Sequence, residues 1–285
     1  MSAMRLHGRE ILWIRGQVSN GMFSRGLLSG LSPFGSVPEV EGVLYVVGDV
    51  HGRLDLLEDL MGRLLRDAVR LAPELDAKPQ LAFVGDVIDR GPDSRGVVEF
   101  LSALSEWPEF ETIFVTGNHE RMLLSFLQEP SKGRRWLRYG GYETLLSYGL
   151  KRLGDIDDPA DMQVLADQLR AVMGPHVDFL DAMVPCHRAG NVLVTHAGAD
   201  PDMPADAQSP RTLAWGCDSF LKKRRSDGVW VVYGHTIVDT PTMRRGRIAI
   251  DTGAYTSGRL TALRIHGGTV SFVTATGEQR EGDDD

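Results

Sequence analysis

Apolar positions in this chain fall into two arrangements, and their alternation predicts the elements. Short runs that are apolar at nearly every position read as buried strands. They occur as VLYVV (43–47), LAFV (81–84), TIFV (112–115), VLVT (192–195), WVVY (230–233), RIAI (247–250), RLTALRI (259–265) and TVSFVTA (269–275). After the first run, Leu57, Leu60, Met61, Leu64, Leu65 and Ala68 recur at helical spacing. The unit repeats as LAFVGD with SRGVVEFLSALSEW and as TIFVTGNHE with RMLLSFLQ, so strand, loop and helix come three times. A helical region follows from about Trp136 to Val184, punctuated by Gly140 and Gly141 and by the acidic turn GDIDDP. The remaining strands come close together, with one helical stretch expected near 210–224. This order predicts an α/β fold with a partly mixed or doubled sheet.

Residues 1–40 lack sustained periodicity and are expected to form a flexible N-terminal arm, with RGLLSGLSPFG (25–35) as an alternative docking segment. No Pro/Ser/Gly linker divides residues 41–275, which read as one domain, and 276–285 end in the acidic tail EGDDD. The 285 residues are 42% apolar and 25% charged, an ordinary globular balance, and the net charge of −8 argues against general affinity for nucleic acid or anionic membranes. The basic clusters KGRR (132–135) and KKRR (222–225) read as solvated surface. Two cysteines, Cys186 and Cys217, make no disulfide framework and fit a reducing compartment. Without a membrane-length apolar run or a signal-peptide pattern, the expected location is cytoplasmic, with no membrane or nucleic-acid partner.

The chemistry sits where strands stop. Five apolar runs end in GDVH (48–51), GDVIDR (85–90), GNHE (117–120), THAG (195–198) and GH (234–235). Alone, an Asp after a strand is a turn or cap residue, and a lone His is a hydrogen-bonded structural residue. Together they lie at strand C-termini, where open α/β sheets bind ligands. Gathering Asp49, Asp86, His51, His119, His196 and His235 in one crevice would bury polar and charged groups at high desolvation cost, which cations remove. Oxygen and imidazole donors without thiolates suit manganese, iron or zinc.

These motifs, GDVHG, GDVIDRGPDS, GNHE, THAG and GHT in order, resemble the phosphoprotein phosphatase branch of the calcineurin-like metallophosphoesterases in its bacterial form, over about residues 43–265. The resemblance implies a sandwich of two mixed β-sheets flanked by helices. It implies two divalent metal ions, manganese first among the candidates: Asp49, His51 and Asp86 would hold one, and Asp86, Asn118, His196 and His235 the other. The nucleophile would then be hydroxide derived from water between the ions, with no phospho-enzyme. Two divalent ions against two carboxylates and one hydroxide leave a net positive charge to draw in phosphate. His119 would protonate the leaving alkoxide, Asp89 would hydrogen-bond it, and Arg90 would grip phosphate oxygens. Gly85, Gly117 and Gly234 are expected to let the backbone pass close to the ions, and Asp251 to serve a turn or to support a ligand.

One departure stands out. Where bacterial relatives resemble W-x-R after THAG, with the arginine as a second phosphate clamp, this chain reads WGC, with Cys217 in that place; Arg211 is the candidate substitute. The leading reading is a phosphatase acting on phosphoserine or phosphothreonine in proteins. Its rival is hydrolysis of diadenosine tetraphosphate or another small phosphate ester. A catalytically dead phosphate-binding regulator is disfavoured, because every expected ligand and the expected acid are in place. The stretch WLRYGGYETLLSYGL (136–150) is expected to overhang the site, with core packing as its alternative.

Overall fold

The structure, a computed structural model, describes residues 36–151 and 154–278. It also gives the backbone of three two-residue strands, β1 (Arg5–Leu6), β2 (Arg9–Glu10) and β3 (Ser24–Arg25). The docking-segment alternative and the acidic tail from residue 279 onward lie outside the described residues. Residues 36–40, grouped above with the arm, are tied down: Glu39 N donates to Asn191 Oδ1 at 2.7 Å, and Asn191 Nδ2 donates to Val37 O at 2.8 Å.

The continuous apolar runs form strands because alternate side chains serve two different cores. In β4 (Val43–Val47), Leu44 and Val46 face a second sheet, whereas Val43, Tyr45 and Val47 face helices. Those helices are α1 (Leu54–Leu71), then, after β5 (Gln80–Phe83), α2 (Ser94–Leu104) and, after β6 (Glu111–Phe114), α3 (Asn118–Gln128). Their buried faces carry the expected Leu57, Leu60, Met61 and Leu64, then Val97, Val98 and Leu101, then Leu123 and Phe126.

The long helical region breaks into α4 (Gly133–Trp136), a π-helical turn (Leu137–Gly141), α5 (Tyr142–Ser147), α6 (Pro159–Met173) and α7 (Pro175–Asp181). The break at 139–140 comes where expected, with Gly140 at φ +100°. Next come β7 (Cys186–Ala189), β8 (Val192–Thr195), α8 (Pro210–Trp215), α9 (Asp218–Lys222), β9 (Trp230–Tyr233), β10 (Thr242–Arg244), β11 (Arg247–Ala249), α10 (Ala254–Ser257), β12 (Arg259–His266) and β13 (Thr269–Thr276).

The strands make two mixed sheets, in the orders β3-β13-β12-β4-β5-β6 and β10-β11-β9-β8-β7. In the first, β4, β5 and β6 run parallel; in the second, β8, β9 and β11 do. The sheets meet through Leu44, Val46, Ala82 and Val84 on one side and Val192, Val194, Trp230 and Val232 on the other. On the outer face of the second sheet, Leu193, Val231 and Tyr233 pack against Leu213 of α8 and Phe220 of α9. This is the expected helix-flanked, two-sheet α/β sandwich.

The single helical stretch expected at 210–224 is corrected to two short helices. Gly216 adopts φ +75° and Cys217 is extended, so the chain leaves α8 and re-enters α9 in a new direction. Strands β7 and β10 escaped the sequence pattern because each is a polar edge strand with no continuous apolar run. Among the described residues, no helix is long and apolar enough to cross a membrane.

Candidate metal centre

The parallel strands deliver the predicted donors to one crevice. Asp49 and His51 follow β4, Asp86, Asp89 and Arg90 follow β5, Asn118 and His119 open α3 after β6, His196 follows β8, and His235 follows β9. The two sheets are joined there by a direct bond, His235 N to Asp49 Oδ2 at 2.9 Å. To turn this tightly the backbone adopts positive φ at His51, Asp86, Asp89, Arg90 and His235; Arg245 is the other described non-glycine residue that does so. Such conformations are costly and concentrate at functional sites. Glycine is required beside them: a Cβ on Gly234 would collide with Asp49 Oδ1, and one on Gly117 with Asp86 Oδ1.

Asp86 is the centre of the cluster. Its Oδ2 lies 3.7 Å from His51 Nε2, 3.8 Å from His119 Nε2 and 3.2 Å from His196 Nε2, while Oδ1 accepts from His119 N at 3.0 Å. His196 Nε2 is also 2.9 Å from Asn118 Oδ1 and 3.2 Å from His235 Nδ1. Two donor groups therefore share Asp86: His51 and His119 on one side, His196 and His235 on the other. The opposite ring nitrogens are anchored, His51 Nδ1 to Ile88 O at 2.8 Å and His196 Nδ1 to Val84 O at 3.0 Å. Those anchors leave Nε2 of each ring facing Asp86.

A second layer, invisible in the motif reading, holds the His119–Asp89 pair. His119 Nδ1 meets Asp89 Oδ2 at 2.7 Å, and Asp89 also accepts from Trp136 Nε1 at 2.9 Å and Thr144 Oγ1 at 2.6 Å. Trp136 is fully buried, so this part of the 136–150 stretch is core and buttress rather than overhang. Glu120, also fully buried, accepts the backbone N–H groups of Asp86, Val87 and Gly117 at 2.8–2.9 Å, which pins the loop after β5 to the start of α3. Its position three residues after the helix N-cap was the available clue, since Glu there reaches back to the cap N–H. Asp251 serves its turn by accepting from Gly253 N at 2.9 Å.

Burial and mutual charge shift the acids and imidazoles of the cluster in opposite directions. Burial, and then the neighbouring Asp251 charge, raise the Asp49 carboxyl well above its ordinary range. At Asp86 burial acts the same way, but His196, His119 and His51 overcome it and hold that carboxyl well below. Burial also opposes charging of His196, yet Asp86 lifts it to about 10, whereas burial and then His196 push His235 down to about 4. Asp49 Oδ1 is buried with no hydrogen-bond partner among the described residues, an expensive state for a carboxylate oxygen. A divalent cation would satisfy that oxygen and offset the packed carboxylates, and the Asp, Asn and His donors fit hard or borderline ions.

Arg90 lies beside the crevice, its guanidinium 4.8 Å from the centre of the Tyr255 ring and its N–H donating to Gly140 O at 3.1 Å. Arg211 is exposed on α8, and none of the described hydrogen bonds of the cluster involves it. Cys217 Sγ lies 3.3 Å from Ser219 Oγ, at the start of α9.

A family model described as calcineurin-like phosphoesterase matches residues 43–239. The bis(5'-nucleosyl)-tetraphosphatase PrpE of Oceanobacillus iheyensis is 28% identical over 234 residues, covering 77% of this chain and 87% of that protein. Serine/threonine-protein phosphatase 2 of Escherichia coli is likewise 28% identical over 234 residues, covering 78% and 92%. A solved structure provisionally described as a diadenosine tetraphosphatase shares the fold, with a TM-score of 0.51 and 24% identity over 84% of this chain and 96% of that one.

Proposed function

The chain belongs to the calcineurin-like phosphoesterase family, and we propose that it hydrolyses phosphate esters at a two-metal centre built on Asp86. The observation that carries this reading is the shared carboxylate: Asp86 stands between two histidine groups, beside the unpartnered Oδ1 of Asp49. Asp49, His51 and Asp86 would hold one ion, and Asp86, Asn118, His196 and His235 the other, with manganese the first to try. When bound, the ions would neutralise phosphate charge and acidify water.

The chain's own residues supply orientation and a proton. Asp89, fixed by Trp136 and Thr144, holds the His119 ring through Nδ1 and favours its charged form. Burial opposes that charge, but Asp86 and Asp89 more than offset it and raise the His119 pKa. A charged His119 can give its Nε2 proton to a leaving oxygen. Arg90, braced on Tyr255, is the phosphate clamp.

Two substrate classes fit. The motif wording favours phosphoserine or phosphothreonine in proteins, in line with the name of the E. coli relative. The PrpE relative and the cavity lined by Arg121, Arg135, Arg138, Tyr139 and Trp215 favour a dinucleoside polyphosphate. The class-level test is hydrolysis of p-nitrophenyl phosphate by exhaustively chelated protein before and after manganese is returned. Activity should vanish and then come back. Full turnover in protein verified to be metal-free would overturn the proposal.

A further inference from the structure

Beside the crevice lies a cavity of about 850 Å³ lined by Arg121, Arg135, Arg138, Tyr139 and Trp215, together with residues of the 130–134 turn. Ligand pockets commonly span ~300–1,000 Å³. Each wall is fastened to the centre. Arg121 is two residues beyond His119 on α3. Tyr139 precedes Gly140, whose carbonyl accepts Arg90 N. Trp215 sits on α8, where Leu213 O accepts from Ala197 N, next to His196. The groove is therefore built on segments that also carry the candidate metal centre.

Its charge is unusual for a chain with a net charge of −8. Lys132 pairs with Glu129 and Arg134 with Asp157, as solvated surface charges do. Among the described residues Arg121, Arg135 and Arg138 make no ion pair with a carboxylate. Two of these guanidiniums lie over aromatic rings, Arg121 over Trp215 at 5.8 Å and Arg135 over Tyr139 at 5.9 Å. Tyr139 is 49% exposed, so its ring is open to a ligand.

We propose that this groove is the subsite for the part of a nucleoside polyphosphate that extends away from the scissile phosphate, its guanidiniums taking the phosphates and its rings the base. The proposal rests on the phosphoesterase reading above. Guanidiniums and an exposed ring on segments that also carry the candidate metal centre offer contacts for the phosphates and for the base of such a ligand. Guanidinium suits phosphate oxygens, and aromatic rings stack on bases irrespective of their identity. A phosphopeptide would use the cations but gives no reason for the rings. The reaction consumes one water. Its oxygen bonds to phosphorus, the bond from that phosphorus to the bridging oxygen breaks, the electron pair leaves on that oxygen, and the released proton goes to solvent. A phosphate leaving group of this kind needs little help from His119.

The test compares the full-length, manganese-loaded chain with the double variant Tyr139→Ala, Arg138→Gln. Both residues are exposed, so the fold should survive. Substrates are diadenosine tetraphosphate, p-nitrophenyl phosphate and a phosphoserine peptide, and calorimetry with a non-hydrolysable methylene-bridged tetraphosphate analogue measures binding without turnover. The ratio of kcat/KM for tetraphosphate to that for p-nitrophenyl phosphate should fall about tenfold or more, chiefly through KM, as loss of a stacked base and a phosphate contact implies. Binding should weaken by a similar factor. The peptide ratio should move less than about twofold. An unchanged tetraphosphate ratio and unchanged binding, or a larger loss on the peptide, overturns the groove assignment. If the wild-type chain hydrolyses none of the three, the phosphoesterase reading fails, and calorimetry still decides the groove.

Discussion

The candidate metal centre and the groove share segments of the chain yet are built on opposite principles. At the centre His196 and Glu120 are fully buried, the ring nitrogens of His51 and His196 that face away from Asp86 are anchored to backbone carbonyls, and the loop after β5 is pinned by three N–H bonds to Glu120. In the groove Tyr139, Arg135 and Arg138 are exposed on a broken helix, and among the described residues no carboxylate pairs with these guanidiniums. The first is over-determined and suited to a reaction that tolerates little displacement. The second is adaptable and suited to choosing what is presented. Changes to the proposed metal ligands should therefore affect all substrates alike, changes at His119 and Asp89 should sort them by leaving group, and changes in the groove should sort them by what lies beyond the scissile phosphate.

The largest effect is expected at Asp49, whose Oδ1 has no hydrogen-bond partner among the described residues. Asp49→Asn should lower kcat/KM roughly 10³-fold or more on aryl phosphate, peptide and tetraphosphate together, since metal-based charge stabilisation is worth several kcal/mol. A loss confined to one substrate would break the contrast. Next comes His119→Asn, with ~10²- to 10⁴-fold lost on alkyl phosphates. That loss should shrink on p-nitrophenyl phosphate and on polyphosphate, whose leaving groups need little protonation, and equal losses would remove the acid role. Trp136→Phe deletes one N–H bond to Asp89 and should cost about tenfold on alkyl esters, in keeping with ~1.5–3 kcal/mol for a charge-assisted bond. The profile across leaving groups should follow that of His119→Asn. The smallest effect is expected at Arg211, exposed and outside the described bonds of the cluster: Arg211→Ala should change any substrate less than about threefold, within the ±0.5 kcal/mol usual for surface positions. A tenfold loss would restore it as the second clamp in place of Cys217.

How legible each region was follows from its construction. The candidate donors sit within a few residues of strand ends, so buried runs closed by Asp, His or Asn pointed to the six residues proposed as metal ligands, and the same runs gave an α/β fold with a doubled sheet, the sandwich itself coming from the family resemblance. What stayed hidden depended on long-range placement. Trp136 looks like any core tryptophan until its indole is seen on Asp89, 47 residues away. Glu120 lies inside the GNHE motif, but its three backbone partners come from two segments. The break at Gly216 was missed because Leu213 and Phe220, buried on either side, keep a nearly helical spacing across it. The groove was least legible of all. KGRR reads as solvated surface, which is right for Lys132 and Arg134, and only folding sets Arg135 and Tyr139 beside Arg121 and Trp215.

The most direct test of Asp86 as the shared ligand is metal stoichiometry, read by elemental analysis of manganese-equilibrated protein after removal of free ion, for the wild type and for Asp86→Asn. The wild type should retain two manganese ions per chain, and the variant should lose affinity at both sites at once while remaining folded by circular dichroism. A folded variant that still holds two ions as tightly as the wild type, or that loses one and keeps the other undisturbed, would contradict a centre built on one bridging carboxylate.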